Sequence, residues 1–262
     1  ICYNPLMKIN VVYNSQISGY KDALERLETL LIERSVEFAS FDVDSLEEFG
    51  EFTFVIGGDG TLLKAARFYA GSPVLGINLG RLGFLAQAGV DEIETALESV
   101  LAGRYSVEER LMLESGESVA LNDFVIKGCM TSRTSKFYLE INDKFVCDYI
   151  ADGLIISTPT GSTAYGLSAG GPVLYPTLEG LVIVPICPHT LNARPLVVPV
   201  GETVKVKTSD KLLSVAVDGF DTMECVKEIS IKSSKKKAVL AFLNDDSFYS
   251  VLRNKLHWGI SP

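Results

Sequence analysis

The run Gly57-Gly58-Asp59-Gly60-Thr61 follows the apolar segment Thr53 to Ile56 directly and leads into a segment with helical spacing, Thr61 to Tyr69. Glycines here let a ligand approach the backbone without meeting a Cβ and let the chain reach positive φ. Thr61 can cap the helix, whose free N–H groups and dipole favour an anion. The loop therefore reads as a phosphate cradle. It lacks the Gly-Lys-Ser/Thr ending of a Walker A loop and the spacing of a dinucleotide GxGxxG turn. Asp59 narrows the chemistry further. A carboxylate about 4 Å from a phosphate charge costs roughly 4 kcal/mol per charge pair at an effective dielectric near 20. A metal bridging to a triphosphate would offset that repulsion, and so would a proton taken from an attacking hydroxyl; either places Asp59 in phosphoryl-transfer chemistry. The plainer alternative is an Asp-Gly turn with Asp59 as an incidental cap.

Around this loop the first hundred residues alternate strand and helix signals. Lys8 to Tyr13, Thr53 to Ile56 and Val74 to Ile77 are short apolar strands. Lys21 to Arg34 sets Leu24, Leu27, Leu30 and Leu31 at helical spacing, and Asp91 to Leu101 is also helical. That rhythm predicts a parallel sheet with helices packed on it. From Tyr105 the pattern changes to short strands between turn residues: Val119 to Leu121, Phe124 to Lys127, Phe137 to Ile141, Phe145 to Tyr149, Leu154 to Ser157, Leu181 to Ile186, Val204 to Lys207 and Leu213 to Val217. Ser247 to Trp258 has helical spacing through Phe248, Val251, Leu252 and Leu256. The expected architecture is an α/β N-terminal domain with a parallel sheet over 7–100, a mostly β domain over 101–240, and a C-terminal helix within 241–262 packing back on the first domain. Residues Ile1 to Leu6 precede Met7 and the strand pattern, so they are left out of the fold and Met7 is read as the native start.

Composition limits the partners. The 262 residues carry a net charge of -9 with 47% hydrophobic and 22% charged residues, ordinary for a globular chain with a sizeable core. An acidic balance disfavours nucleic acid, whose affinity comes from Lys and Arg displacing counterions. The basic run Lys235-Lys236-Lys237 reads as a solvated hairpin end. Apolar stretches such as Gly180 to Ile186 fall short of the roughly 20 residues needed to cross a bilayer, and no signal-peptide pattern is present. A cytoplasmic protein without a membrane partner is expected. The five cysteines, Cys2, Cys129, Cys147, Cys187 and Cys225, form no CxxC pair and no metal-ligand spacing, and read as buried reduced thiols.

A second glycine-rich block runs from Asp152-Gly153 through the apolar Leu154-Ile155-Ile156 into Ser157-Thr158-Pro159-Thr160-Gly161-Ser162-Thr163-Ala164-Tyr165, then Gly166-Leu167-Ser168-Ala169-Gly170-Gly171-Pro172. Hydroxyls and accessible backbone suit the edges of a base and ribose, and Tyr165 offers a flat face. With this block, Gly57 to Leu63, Gly76 to Leu85, Ala120-Leu121-Asn122-Asp123 and Pro185 to Pro195, the chain resembles the bacterial and archaeal NAD kinases from Met7 to its end. The first stretch is shared with lipid kinases and phosphofructokinases; the set in this order is specific.

The resemblance implies an enzyme that moves the terminal phosphate of ATP, another nucleoside triphosphate or polyphosphate to the 2′-hydroxyl of the adenosine ribose of NAD, giving NADP, with Mg²⁺ or Mn²⁺. It implies that Asp59 is catalytic and activates that hydroxyl. Gly57, Gly58, Gly60 and Thr61 form the loop; Asn122 and Asp123 hold the dinucleotide; Phe84 lines the adenine pocket; Thr163, Ala164, Tyr165 and Ser168 contact NAD. Asp152 matches an aspartate that reaches nicotinamide, sometimes across a subunit interface, so a homodimer or homotetramer is implied. The metal ligands stay unassigned. Asp123 stands where Glu is also common, and Leu85 follows Phe84 where some members have a second aromatic.

Three rivals differ in kind. Gly166-Leu167-Ser168-Ala169-Gly170 fits the GxSxG pattern of a serine hydrolase, although Ser162 to Tyr165 is a poor strand to precede a nucleophile elbow. A lipid kinase would share the GGDGT run but should carry a membrane-binding surface. A noncatalytic NAD sensor would bind without turnover, against the presence of Asp59.

Overall fold

The computed structural model describes residues 7–80, 83–86, 88–129, 134–190, 192–209, 212–243 and 248–257. Cys2, Arg81, Leu82, Leu191, Ser247 and Trp258 lie outside them. The chain divides into two compact units, one formed up to Glu109 and from Ala238 onward, the other from Arg110 to Lys237.

The first unit begins with β1 (Ile9–Tyr13), α1 (Tyr20–Glu33), β2 (Phe38–Asp42), β3 (Phe52–Ile56), α2 (Asp59–Phe68), β4 (Pro73–Asn78), the two-residue β5 (Ala88–Gly89), α3 (Ile93–Leu101) and β6 (Ser106–Arg110). The second holds β7 (Leu113–Ser115), β8 (Ser118–Ala120), β9 (Asp123–Gly128), β10 (Ser135–Ile141), β11 (Lys144–Ala151), β12 (Gly153–Ser157), the short α4 (Tyr165–Ser168), β13 (Gly180–Ile186), β14 (Leu196–Pro199), β15 (Val204–Thr208), β16 (Leu213–Val217), β17 (Asp221–Val226) and β18 (Glu228–Ser233). The chain then returns to the first unit as β19 (Ala238–Phe242) and α5 (Phe248–Leu256).

In the first unit the strands run in the order β2-β1-β3-β4-β19-β6, and the pairs β1–β2, β1–β3, β3–β4 and β4–β19 are all parallel. Parallel strands are covered on both faces, so they read as continuous apolar runs rather than alternating ones. β3 is the clearest case: all five of its residues are buried. Helix α1 buries Ala23, Leu27 and Leu31, four residues apart on one face, against Ile9, Val11 and Phe54 in the same core. Because the strands are parallel, β1, β3 and β4 all end at one edge of the sheet. The order reverses there: β1 leads outward through α1 to β2, whereas β3 lies on the other side of β1. In open α/β sheets that switch point, beyond the carboxyl ends, is where ligands bind. There β3 passes through Gly57 and Gly58 straight into α2, which opens with Asp59 and Gly60.

The second unit pairs two antiparallel-built sheets, β11-β10-β15-β18-β7-β8 and β14-β13-β12-β9-β16-β17. Their facing residues share one core that includes Phe124, Ile126, Phe137, Leu139, Leu154, Ile156, Val204, Val215 and Ile231. The other face of β9, β12 and β13 is also covered: Val125, Ile155, Val182 and Val184 pack with Leu174. This double cover explains why Leu154-Ile155-Ile156 is apolar without a break.

Two sequence expectations are corrected here. Lys235-Lys236-Lys237 is no hairpin end. It links β18 to β19, which belong to different sheets, although Lys235 and Lys236 are indeed exposed. The four described cysteines are free thiols but not buried: Cys129 and Cys147 are half-buried and Cys187 and Cys225 exposed, with the Cys129 and Cys225 Sγ atoms 2.7 Å apart. Cys129 and Cys187 sit just past the ends of β9 and β13, and Cys147 and Cys225 lie on the edge strands β11 and β17, where the sheet gives no second cover. No helix among the described residues is long and apolar enough to cross a membrane.

The core assignment is tested by a pair of truncations in α1. Leu27→Ala, at a fully buried position, should cost about 2–5 kcal/mol in urea unfolding, whereas Ile32→Ala, 67% exposed, should stay within about 0.5 kcal/mol. Equal costs would show that α1 presents a different face to the sheet.

Candidate active site

Helix α2 starts earlier than its spacing suggests. Gly58 is its N-cap, in extended backbone at φ -94° and ψ -176°, and Asp59 is already the first helical residue. Thr61 is thus inside the first turn and does not cap: it is buried, and its Oγ1 accepts a hydrogen bond from Asn14 Nδ2 at 3.3 Å. No side chain caps the helix. The first intrahelical bond runs from Leu62 N–H to the Gly58 carbonyl, so the N–H groups of Asp59, Gly60 and Thr61 have no acceptor within the helix. They point out of a positive dipole end at the switch point, the arrangement that holds phosphate. Gly57 takes no part in it, because its own N–H donates to the Ile77 carbonyl of β4 at 3.0 Å.

Gly58 and Gly60 are informative by what does not constrain them. Neither has the positive φ that favours glycine, and a Cβ at either would meet no protein atom within 4 Å. Nothing in the protein requires glycine there, and the space a side chain would fill is where a ligand can approach the backbone. The neighbouring loop after β1 is pinned in place: Ser15 N–H donates to Asp42 Oδ2 at 3.2 Å, and hydrogen bonding from Ser15, opposed by desolvation, keeps the Asp42 carboxyl below the usual carboxylate range.

The Asp59 side chain is half-buried and is held by backbone alone. Phe84 N–H donates to its Oδ2 at 2.8 Å and Leu85 N–H to its Oδ1 at 3.3 Å. The strap carrying these donors lies so close that a Cβ on Gly83 would fall 1.9 Å from Asp59 Oδ1. Each carboxylate oxygen has a second lone pair, so the strap fixes the orientation of the acid while leaving each oxygen able to accept from a hydroxyl. Phe84 therefore serves the site first through its N–H, a role its aromatic side chain did not suggest.

In the second unit, the turn between β8 and β9 and the chain leaving β12 lock together through backbone. Thr158 Oγ1 donates to the Leu121 carbonyl at 2.6 Å, Thr158 N–H to the Asn122 carbonyl at 2.9 Å and Ser157 Oγ to the same carbonyl at 3.2 Å. Gly161 packs on this turn, where a Cβ would come 2.2 Å from the Asn122 carbonyl oxygen. Ser162 is spent on the Pro159 carbonyl and the Leu174 N–H. Much of the hydroxyl cluster is thus structural. Thr160 differs: its Oγ1 is buried with no hydrogen-bond partner among the described residues, an orphan that costs about 1–3 kcal/mol unless a ligand or water satisfies it. Thr163 and Ala164 are half-buried, Tyr165 is 40% exposed and Ser168 is exposed.

Asn122 and Asp123 hold functional groups in reserve. Among the described residues neither side chain makes a hydrogen bond, although Asp123 is only 4% exposed. Burial, and then the charge of Asp218, pushes the Asp123 carboxyl up to about 7. Asp152 is not brought to this cluster. It is exposed in the bend just before β12, whose far end is Ser157, so about 20 Å of extended chain separates it from Thr158. A cavity of about 460 Å³, lined by Cys147 to Tyr149, Thr190 and 192–196, contains none of the predicted site residues.

The sequence reading passed over Asn14, Gly83 and Asp218. Asp218-Gly219 between two strand-like runs is a recognisable hairpin turn, but its target, 95 residues upstream, left no local signal. Among the described residues no group of three or more His, Cys, Asp or Glu could hold a metal ion. Asp59 offers one carboxylate, which fits an ion brought in on substrate phosphates rather than one caged by protein. The Gly166 to Gly170 run lies in and after α4 with a 3-10 turn, not a strand, before it, so the serine-hydrolase reading fails on the geometry of the elbow.

A parallel α/β unit with an uncapped glycine-loop helix, joined in sequence to a β-sandwich, defines a two-domain nucleotide kinase of the GGDGT kind. The comparisons carry this to a family. The profile described as the ATP-NAD kinase N-terminal domain matches residues 16–105, and that of the ATP-NAD kinase C-terminal domain matches 121–242. The NAD kinase of Azotobacter vinelandii is 40% identical over 269 residues, 91% of each chain, and that of Pseudomonas putida strain GB-1 is 44% identical over 82% of this chain and 78% of its own. An NAD kinase from Archaeoglobus fulgidus, solved in complex with ATP, superposes with a TM-score of 0.81 at 28% identity, covering 96% of this chain and 99% of that one. The fold is also that of yeast NADH kinase, solved with NADH, at a TM-score of 0.88 over 99% of this chain and 90% of that one with 22% identity. The chain belongs to the NAD kinase family. That membership also sets aside the lipid-kinase reading.

The glycines separate packing from ligand space. Gly161→Ala should destabilise by about 1–3 kcal/mol through the clash with the Asn122 carbonyl. Gly60→Ala, exposed in a helical turn, should keep or raise stability by up to about 1 kcal/mol; the reverse order in chemical denaturation would refute this division. A second test concerns Asp123. Its folded carboxyl titrates near 7 and an unfolded one near 3.9, so between those values the native state binds the extra proton. This contribution makes stability fall as pH rises from about 4 to about 7, then level off. Asp123→Asn should therefore gain stability relative to the parent across that window; a constant difference between the two would mean that Asp123 ionises normally.

Proposed function

We propose that this chain phosphorylates NAD, moving the terminal phosphate of ATP to the 2′-hydroxyl of the adenosine ribose to give NADP. The observation that carries the reading is the Asp59 carboxylate, held by the Phe84 and Leu85 N–H groups beside three unshared N–H groups at the start of α2. The N–H groups hold the phosphates of the donor, and the fixed carboxylate orients the attacking hydroxyl and takes its proton. A divalent ion, Mg²⁺ or Mn²⁺, if bound to the triphosphate beside the Asp59 carboxylate, would supply neutralisation of its charge. Asn122 and Asp123 accept from and donate to the dinucleotide, with Thr163, Ala164, Tyr165 and Ser168 forming the accessible surface beside them. Asp152 then serves the nicotinamide end from the bend between β11 and β12.

Two further parts belong to this reading. A homodimer or homotetramer is supported by the edge strand β11, which leaves Phe145, Val146 and Ile150 exposed to solvent. The cytoplasm suits an acidic chain that meets NAD and ATP there. Polyphosphate or another triphosphate as donor, and NADH as acceptor, are compared in the same assay.

Incubation with NAD, ATP and Mg²⁺, read through an NADP-specific dehydrogenase, should show NADP accumulating. Asp59→Asn should lower kcat at least about 100-fold while calorimetry still finds NAD bound. Near-normal turnover in that variant would remove Asp59 from proton transfer.

A further inference from the structure

The hairpin between β16 and β17 makes its tip from two left-handed residues, Asp218 at φ 52° and Gly219 at φ 78°. Asparagine, aspartate and glycine are the residues that tolerate this backbone, so the turn is locally encoded. Its side chain does more than turn the chain. Asp218 Oδ2 accepts from Leu121 N–H at 2.9 Å, and Oδ1 accepts from Asn122 N–H at 2.7 Å and Asp123 N–H at 3.0 Å. The link is returned by Asp218 N–H, which donates to the Asp123 carbonyl at 2.9 Å. One carboxylate thereby gathers three consecutive backbone donors just as β9 begins. The carbonyls of Leu121 and Asn122 are taken on their side by Thr158 and Ser157. Every backbone group of this turn that these bonds reach is fixed, while the Asn122 amide and the Asp123 carboxyl remain without a hydrogen-bond partner among the described residues.

We propose that Asp218 is a positioning residue for the dinucleotide: by clamping the backbone of 121–123 it aims the Asn122 and Asp123 side chains at NAD without touching NAD itself. The proposal rests on the reading that Asn122 and Asp123 bind the dinucleotide. Charge-assisted bonds to three amides are stronger than neutral ones, and a neutral substitute cannot replace them all. An amide at 218 keeps one acceptor oxygen and turns an NH₂ toward a backbone N–H, leaving at least one donor unmet. The same charge faces the buried Asp123 carboxyl and, after desolvation, is what holds that group in its protonated form to higher pH. Asp218 therefore sets both the direction and the charge of its neighbour.

The test uses the full chain in steady-state assays with NAD, ATP and Mg²⁺. Asp218→Asn should raise the KM for NAD about ten-fold, with kcat and the KM for ATP within about two-fold of the parent. The acidic limb of kcat/KM for NAD should move to lower pH, because the like charge beside Asp123 is gone. A purely structural role would lower the melting temperature and move neither quantity, so a folded Asp218→Asn with unchanged KM for NAD overturns the proposal. So does a fall confined to kcat. Gly219→Ala, which strains the same tip at φ 78° and keeps the carboxylate, is the second variant if Asp218→Asn does not fold, and it should raise the same KM. Asn122→Ala separates the two claims. If it leaves the KM for NAD unchanged, the binding reading fails; if it raises that KM and the 218 and 219 variants do not, only the positioning claim fails.

Discussion

The two halves of this protein rely on one interaction: an aspartate whose carboxylate accepts hydrogen bonds from consecutive backbone N–H groups. Asp59 receives two such bonds from the strap at 84–85, and Asp218 receives three from 121–123. Backbone donors cannot swing away as a lysine can, so each acid is fixed by the path of the main chain, and each in turn fixes a loop. In a chain of net charge -9, the start of α2 still offers backbone N–H groups that no side chain caps, a positive dipole end that favours an anion.

What the sequence disclosed follows from the range over which its signals act. The strand, glycine loop and helix around Asp59 are contiguous, so periodicity and glycine chemistry were enough to find them. β3 and β12 were visible because double cover demands unbroken apolar runs. β2 was not, since Phe38–Asp42 is an edge strand with every residue only half-buried, and edges impose no pattern strong enough to read. β19 was missed for another reason: its partner β4 is more than 160 residues earlier, and a five-residue apolar run says nothing about which sheet receives it. Cysteine burial was misjudged because strand ends and an edge strand do not cover their side chains.

The site shows the same division. Asp59, Asn122 and Asp123 could be named from a family resemblance, but their contacts could not: Asp59 is held by the Phe84 and Leu85 N–H groups rather than by a side chain, and the Asp218 carboxylate reaches the 121–123 backbone from a distant turn. Thr61 looked like a cap and is not one. Extended backbone at Gly58 moves the helix start two residues earlier, and the vacancy of the cap position is itself what frees the amides. The hydroxyl-rich block after β12 looked uniformly like ligand surface, yet Ser157, Thr158, Ser162 and Thr163 bond their own chain, leaving the buried Thr160 hydroxyl without a partner among the described residues.

The place of β19 between β4 and β6 has a consequence for how the molecule is made. During synthesis the ribosome delivers β1 through β6 first, then about 125 residues that belong to another unit, and only then the strand that fills the gap in the parallel sheet. Until Ala238–Phe242 emerges, β4 lacks its partner at Pro73 and Val74, and an unpaired strand edge is the kind that invites wrong partners. The parallel sheet is therefore completed only after the sandwich has been made, and slower translation of that insert lengthens the time its edge stays unpaired.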